Sequence, residues 1–263
     1  MNVLVVGIPQ SGSTALYNII KCYLDFNNIE HENFLYKAYK NDPFPRRDKN
    51  VVNDAYLRNV KVPRWKGARI TETVLMKEHH YNEFLSGWAD IIFLCRRDIR
   101  DSIASRRRRG KTLISKGKIM SETTISQKTA VPEKIYEPKK YDPNTFYGFK
   151  KWCEYLTKDC FIDWTYKGSV NYIWEYEKYK KDPLNIIKEI GAGLGFDSCE
   201  LTVAKIYHTI SNLDESNVDK TFYTRDKITA EGKVHNFSNE LSEEELNYIE
   251  ENYSSWIYEE EVE

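Results

Sequence analysis

A short apolar run followed at once by a small-residue turn and an amphipathic helix opens the chain, and this order constrains the fold more than any other feature. The run is Val3-Leu4-Val5-Val6, and consecutive apolar residues bounded by a turn are typical of a strand buried on both faces of a parallel sheet. After the turn, apolar side chains recur at helical spacing across 15–26. The sequence therefore predicts an α/β domain that begins with a strand.

The alternation of strand and helix continues along the chain. Further strands are predicted at 70–76, 90–95 and 170–175, and further helices from about 100, at 146–162, at 182–194 and at 201–210. Ser242 and Glu245 have the spacing of a capping box before a last helix. Alternating strands and helices predict the fold class α/β, with a central parallel β-sheet flanked by helices.

Length and composition limit the class of protein. The 263 residues suit a single domain spanning 1–263, and 39 basic against 40 acidic side chains exclude a generally cationic nucleic-acid coat. The 5 cysteines are scattered, so neither a disulfide framework nor a zinc site is indicated. The first apolar run is too short for a membrane span or a signal-peptide core, which predicts a cytoplasmic protein.

Two regions show no clear periodicity. Residues 27–68 are polar and turn-rich and stay unassigned, and 110–143 are rich in Lys, Ser, Thr and Pro. Long stretches without regular structure in a compact domain are typical of functional loops. We therefore expect 110–143 to be a flexible substrate loop or flap, and both regions to shape the site of an acceptor.

The turn between the first strand and the first helix is suited to binding phosphate. It has the sequence GIPQSGST at 7–14, and small residues let the backbone curl so that successive amides point at one anion, beside the positive end of the helix dipole. It is not the Walker A loop, because that motif needs a lysine where this chain has Ser13. An ordinary strand-to-helix turn is the alternative interpretation.

A second polar cluster, RDIRDSIAS at 97–105, follows the clearest strand. Arg97 and Ser105 could converge on one phosphate, because a guanidinium suits a dianion and a hydroxyl adds a donor. Ligands of open α/β sheets bind at the carboxyl ends of the strands, where both clusters fall. Asp98 and Asp101 are interpreted more simply as partners of the helix start and its dipole.

In this order the two clusters resemble motifs of the sulfotransferases that use 3′-phosphoadenosine-5′-phosphosulfate (PAPS). The family pattern P-[K/R]-S-G-[ST]-T matches 9–14, and R-x-P-R-D-x-x-x-S matches 97–105 with Ile99 at the usual proline. KEH at 77–79 resembles the family's K-x-H, and Tyr176-Glu177 before Asp182-Pro183 resembles its Y-E-D-L…D-P stretch. The resemblance implies a P-loop-containing nucleotide-binding fold and transfer of a sulfuryl group from PAPS, with no metal.

The resemblance also implies a role for each matched residue. The donor would be bound by Ser11, Gly12, Ser13 and Thr14 at the 5′-phosphosulfate, Arg97 and Ser105 at the 3′-phosphate, Tyr176 at the adenine, and Gly232 and Lys233 in a C-terminal loop. His79 would be the general base that removes the proton of the acceptor hydroxyl, since imidazole titrates near neutrality. Lys77 would neutralise charge on the transferring group.

Two assignments leave alternatives open. His79 and His80 are adjacent, so at most one of them enters the cleft, and Glu78 is a competing base. The family's Lys or Arg after the loop proline is Gln10 here, and losing one such stabiliser typically costs roughly 10²–10³ in rate. Another cation then takes its place (Lys77, Arg100 or an arginine of 106–109), or the enzyme is slow, or the protein binds nucleotide without turnover.

The predicted function is therefore transfer of a sulfuryl group from PAPS to a hydroxyl or amine of an acceptor, either a small molecule or a glycan. The arginines of 106–109 are interpreted as an electrostatic funnel for the donor or as a solvated helix end, and no nucleic-acid partner is expected. An ATP-dependent kinase is disfavoured, because the loop lysine is missing and no Mg²⁺-binding aspartate follows a strand.

Overall fold

Strands and helices alternate through the part of the chain that the computed structural model describes, which is 1–34, 73–79, 81, 83–115, 144–212 and 237–258. The strands are β1 (Asn2–Gly7), β2 (His31–Phe34), β3 (Thr73–Lys77), β4 (Ile91–Arg96) and β5 (Tyr172–Glu175). The helices are α1 (Ser13–Phe26), α2 (Glu83–Trp88), α3 (Ile99–Ser115), α4 (Phe146–Glu154), α5 (Asp163–Lys167), α6 (Tyr176–Lys181), α7 (Pro183–Gly193), α8 (Glu200–Ser211) and α9 (Glu243–Tyr253), with a π-helix at Tyr155–Ile162 and a 3₁₀-helix at Ser254–Trp256.

The described strands form one parallel sheet of 5 strands in the order β2-β3-β1-β4-β5. β1 lies in the middle, with Val5 beside Lys77 of β3 and Gly7 beside Cys95 of β4. Because the strands are parallel, their carboxyl ends meet at one edge of the sheet. The predicted fold class, a central parallel sheet flanked by helices, is confirmed.

Both faces of the sheet are covered, which explains the uninterrupted apolar run of β1. Leu4 and Val6 belong to a buried cluster with α3, α4 and the π-helix on one face. Val3 and Val5 belong to a second buried cluster with α1, α7 and α8 on the other face. Alternate side chains of a strand point to opposite faces, so each buried position of Val3–Val6 has to be apolar.

The end of α3 and the course of the 146–162 helix differ from the predicted elements. α3 continues to Ser115, so the prediction of a loop over 110–143 is wrong for 110–115, where a helix already under way outweighs the cost of about 1 kcal/mol that a glycine adds. Residues 116–143 lie outside the described residues. The predicted helix over 146–162 is confirmed, with its second half wound as a π-helix.

The last helix begins as its sequence pattern predicts. The Ser242 hydroxyl accepts from the Glu245 amide, and the Glu245 carboxylate accepts from the Ser242 amide, which is the reciprocal pair of a capping box. Within the described ranges, no helix is both long and apolar enough to cross a membrane.

Candidate functional site

The loop between β1 and α1 is held in shape by two glycines. Gly7 (φ 112°) and Gly12 (φ 73°) both have left-handed backbone conformations that favour glycine. A Cβ on Gly7 would lie 2.3 Å from the Cys95 carbonyl oxygen, and one on Gly12 would lie 2.1 Å from Cδ2 of Tyr176. Strand β4 and the Tyr176 ring at the start of α6 therefore lie too close to this loop for any side chain at either position.

The loop presents the positive end of α1. The Gly12 carbonyl accepts the amides of Ala15 and Leu16, so the helix begins at Ser13. The first amides of a helix have no acceptor within the helix, and no acidic residue stands in the first turn of α1 to neutralise them. This is the arrangement that binds phosphate and sulfate groups. Ser11, Gly12, Ser13 and Thr14 lie at this helix start, and their binding of a phosphosulfate remains a prediction.

Lys77 lies at this helix start, although it is 63 positions from Thr14 in the chain. Its register beside Val5 places it at the end of β3, and its Nζ donates to the Thr14 hydroxyl at 3.0 Å. Lys77 therefore supplies a positive charge beside the loop, which itself carries only the uncharged Gln10. An ammonium at a helix N-terminus is opposed by the dipole, so this position favours an anion between them.

His79 is fixed by a hydrogen bond to the loop. Its Nδ1 lies 2.7 Å from the Gly7 carbonyl oxygen, and because a carbonyl only accepts, Nδ1 carries the proton. In the neutral ring Nε2 then has the lone pair, which is the form that a general base needs. The His79 carbonyl in turn accepts from the Trp164 indole at 3.3 Å.

The competing bases differ in their placement. The Glu78 carboxylate is turned back onto the chain, where Oε1 accepts the His79 amide at 2.8 Å. His80 lies outside the described residues. The geometry thus favours His79, which remains a prediction.

Arg97 contacts residues in the three segments that follow strands β1, β4 and β5. It is only 4 % exposed, and its Nη1 donates to the Gln10 carbonyl at 2.9 Å. Nη2 lies 3.6 Å from the Asp101 carboxylate and Nε lies 3.9 Å from that of Glu177. Its guanidinium also stacks 4.5 Å from the ring centre of Tyr176. Arg97 therefore holds the loop as well as standing where a 3′-phosphate is predicted.

Glu177 is a site residue to which the sequence analysis gave no role. Its Oε1 accepts the Asp98 amide at 3.0 Å, so it joins the β4–α3 turn to the start of α6. Burial raises the pKa of this carboxyl, against the lowering effect of that amide and of Arg97. Its place directly after Tyr176 in a matched motif was the available signal.

The other predicted donor ligands are placed as follows. The Ser105 hydroxyl lies 3.5 Å from the Gln10 side-chain oxygen, so it is close to the loop. Tyr176 is 5 % exposed and packs against Gly12 and Arg97. Its predicted contact with adenine is not tested by this geometry. Gly232 and Lys233 lie outside the described residues.

Among the cations proposed to replace the loop cation, Lys77 contacts the start of α1 through the Thr14 hydroxyl. Arg100 is bound to the Asp98 carboxylate, with Nη2 to Oδ2 at 2.7 Å, and stacks on Phe237. Arg106 stacks on the Trp152 ring, and Arg107 is paired with the Glu245 carboxylate. The geometry therefore favours Lys77.

Comparisons with known proteins support the same fold. No protein-family model matches the chain, and no curated protein matches it. Mouse sulfotransferase SULT7A1 complexed with PAP, the 3′,5′-bisphosphate product of PAPS, is similar with a TM-score of 0.55 at 14 % identity, over 99 % of this chain and 86 % of that one. Retinol dehydratase in complex with androsterone and the inactive cofactor PAP is similar with a TM-score of 0.54 at 14 % identity, over 100 % and 82 %. A second complex, of retinol dehydratase with retinol and PAP, is similar with a TM-score of 0.54 at 13 % identity. The chain therefore has the α/β fold of these PAP-bound proteins, a sulfotransferase and a retinol dehydratase.

Proposed function

We propose that the chain transfers a sulfuryl group from PAPS to a hydroxyl or amine of an acceptor. The observation that carries the proposal is the meeting of 77–79 with the β1–α1 loop. Lys77 contacts Thr14 and His79 contacts Gly7, so a cation, an oriented imidazole and a helix N-terminus lie together at one edge of the sheet. The fold shared with PAP-bound sulfotransferases supports this interpretation.

The residues present suit a nucleotide with anionic groups at two places. The loop amides at the start of α1, together with the Ser13 and Thr14 hydroxyls, would hold the 5′-phosphosulfate. Arg97 and Ser105 would hold the 3′-phosphate, because both lie beside the same loop through Gln10. Carboxylates behind Arg97 keep its guanidinium oriented.

The chemistry of transfer then falls to two side chains. Nε2 of His79 would take the proton of the acceptor hydroxyl as its oxygen forms a bond to sulfur, while the bond from sulfur to the leaving phosphate oxygen breaks. The Lys77 ammonium would stabilise the negative charge that grows on that oxygen. The proton ends on the imidazole and the charge on PAP, so no electrons are lost or gained.

The first experiment is calorimetric titration of the chain with PAP, with AMP as the control that lacks the 3′-phosphate. Tight binding of PAP with little binding of AMP is expected. Equal affinity for the two nucleotides, or no binding of PAP, would refute the proposed donor.

The second experiment separates an enzyme from a protein that only binds nucleotide. The His79→Ala variant should lose transfer of ³⁵S from labelled PAPS while it keeps its affinity for PAP. Transfer within a factor of about two of the unaltered chain would refute the assignment of the base, since general-base catalysis contributes about 10²–10⁴-fold. Absence of transfer by the unaltered chain over a broad set of alcohols, phenols, amines and glycans, with PAP bound, would support the nucleotide-binding alternative.

A further inference from the structure

The segment that bears the proposed base leaves the sheet just before that residue. β3 pairs with β1 as far as Lys77, and the Glu78 amide still donates to the Val5 carbonyl at 2.9 Å. His79 lies beyond this paired part of the strand, so its position is set by contacts with other elements. A base needs a fixed position, because a misplacement of about 1 Å can cost about 10²-fold in rate.

Two hydrogen bonds hold residue 79, and they come from different elements. The His79 side chain is bound through Nδ1 to the Gly7 carbonyl at the end of β1. The His79 carbonyl accepts from the Trp164 indole of α5 at 3.3 Å. The first bond sets the direction of the ring, and the second restrains the peptide group that follows it. Rotation of the main chain at this residue would therefore break one bond or both.

Trp164 makes its bond from inside the core. Its side chain is 0 % exposed and belongs to the same buried cluster as Leu4 and Val6 of β1. An indole has one N–H donor and no acceptor, and a buried donor without an acceptor costs free energy. The His79 carbonyl supplies that acceptor, so the core residue and the proposed base stabilise each other's positions.

The π-helix before α5 determines where Trp164 points. The Asp163 amide donates to the Lys158 carbonyl, five residues earlier, so the helix is wound more widely here than an α-helix. Wider winding changes the direction of the side chains that follow it, and π-helical turns are frequent at functional sites. This π-helix also contacts the segment of the base directly, because its Asp159 carbonyl accepts the Tyr81 amide at 3.3 Å.

Tyr81 adds a third connection to α5. Its ring meets the Trp164 ring edge to face, with the ring centres 5.2 Å apart, and its hydroxyl donates to the Lys167 carbonyl at 3.0 Å. Aromatic rings in this arrangement attract each other. Residues 79 and 81 are therefore both held against the helical segment formed by the π-helix and α5.

We infer that Trp164 is a positioning residue for the proposed base. Its N–H holds the His79 main chain where the ring keeps its bond to the Gly7 carbonyl, so that Nδ1 retains the proton and Nε2 keeps the lone pair. The role in catalysis rests on the proposed function, because it needs an acceptor at Nε2. The effect on the imidazole does not depend on turnover.

Trp164→Phe tests this role, since phenylalanine keeps an aromatic ring and removes the N–H. ¹⁵N NMR of the histidine-labelled chain, at a pH where the imidazole is neutral, reports which ring nitrogen carries the proton. His79→Gln assigns the signal among the 5 histidines. The unaltered chain should carry the proton on Nδ1, and Trp164→Phe should show a mixture of the two tautomers, because the bond that selects one of them is weakened.

Kinetics give the second measurement. The kcat of Trp164→Phe for transfer of ³⁵S should fall by at least about fivefold, because the base is no longer held in place. Its affinity for PAP should stay within about twofold of that of the unaltered chain, since the donor ligands are untouched.

Trp88→Phe is the matched control, because Trp88 is a buried tryptophan of the same core cluster that lies on α2. It should lower the melting temperature, as Trp164→Phe does, and leave both the tautomer and kcat unchanged. Replacement of Trp164 by 3-benzothienylalanine, which has sulfur in place of the N–H, keeps the shape of the side chain. It should shift the tautomer as Trp164→Phe does.

A proton on Nε2 in the unaltered neutral chain would overturn this role of Trp164. So would a tautomer that neither replacement at position 164 changes, or an equal change of tautomer in Trp88→Phe. A fall in PAP affinity as large as the fall in kcat would also overturn it, because the variant would then distort the whole site. If the tautomer shifts as expected but the unaltered chain transfers no sulfuryl group, the proposed function fails and the positioning of the ring stands.

Discussion

Lys77→Met tests whether the cation missing from the loop is supplied by strand β3. Methionine keeps most of the apolar stem and removes the ammonium, which lies 3.0 Å from the Thr14 hydroxyl at the start of α1. A hydrogen bond to a charged group contributes about 1.5–3 kcal/mol, and removing a group that stabilises a developing oxyanion costs about 10²–10³ in rate. We therefore expect kcat for sulfuryl transfer to fall by at least about tenfold and up to about 10³-fold.

The assay separates stabilisation of the transition state from simple binding of the donor. The bridging oxygen of PAPS carries little charge before transfer, so the affinity of Lys77→Met for PAPS should change by less than about fivefold while kcat falls much further. Gln10→Lys restores a cation from the loop side, and in the Lys77→Met background it should recover at least tenfold of the lost rate. Lys188→Met, which removes an exposed cation on α7, serves as the control for net charge.

The reasoning would be refuted if Lys77→Met kept kcat within threefold of the unaltered chain. It would also be refuted if the affinity for PAPS fell by as much as kcat, because Lys77 would then bind the phosphosulfate equally well before transfer. A double variant no faster than Lys77→Met alone would show that position 10 cannot reach the charge on the leaving group.

Three further predictions follow from the described contacts. Arg97→Ala should weaken PAP and also lower the unfolding free energy by about 3 kcal/mol, because it removes the cation that lies beside two buried carboxylates. Ser105→Ala should weaken PAP without that loss, so equal denaturation curves for the two variants would contradict the role given to Arg97. Gly12→Ala should lower the unfolding free energy by more than about 1 kcal/mol, since the φ of Gly12 is 73° and a Cβ has no room there. An unchanged urea concentration at the midpoint of unfolding would contradict this. Burial raises the pKa of Glu245, but its hydrogen bonds and the charge of Arg107 outweigh burial and hold the pKa below its ordinary value. The stability that the Arg107–Glu245 pair contributes is therefore present at neutral pH, and it is lost as the pH falls through the lowered pKa. Glu245→Gln should therefore destabilise the chain at pH 7 and reduce its loss of stability between pH 5 and pH 3, as measured by urea denaturation at each pH.

The parts of the site that sequence could predict are those encoded by neighbours in the chain. The β1–α1 loop can be predicted from sequence because the apolar strand, the small residues and the amphipathic helix follow one another without a break. The capping box of α9 can be predicted for the same reason, since Ser242 and Glu245 are three positions apart. Local patterns of this kind depend on backbone geometry alone.

The parts that sequence could not predict depend on residues that are distant in the chain. β2 is a four-residue edge strand of mostly polar residues, HENF, so it has no apolar run to indicate it. Arg97 was predicted from its motif as a phosphate ligand, but its hydrogen bond to Gln10 spans 87 positions. Glu177 binds the Asp98 amide across 79 positions, and only the pairing of β4 with β5 brings those two turns together.

Gln10, which stands where the resembled motif has Lys or Arg, is best understood together with these distant contacts. Gln10 has a left-handed backbone (φ 69°), which costs about 1–2 kcal/mol outside glycine, and its carbonyl is held by the Arg97 guanidinium. The loop conformation is thus maintained by a cation bound to the main chain of residue 10, whichever side chain that residue carries. A charged side chain at this position is then not needed for the shape of the loop, and its electrostatic contribution can come from β3, where Lys77 already contacts the start of α1. The glutamine is therefore compatible with an active site, and the rates of Lys77→Met with and without Gln10→Lys measure how much of the charge beside the loop Lys77 of β3 supplies.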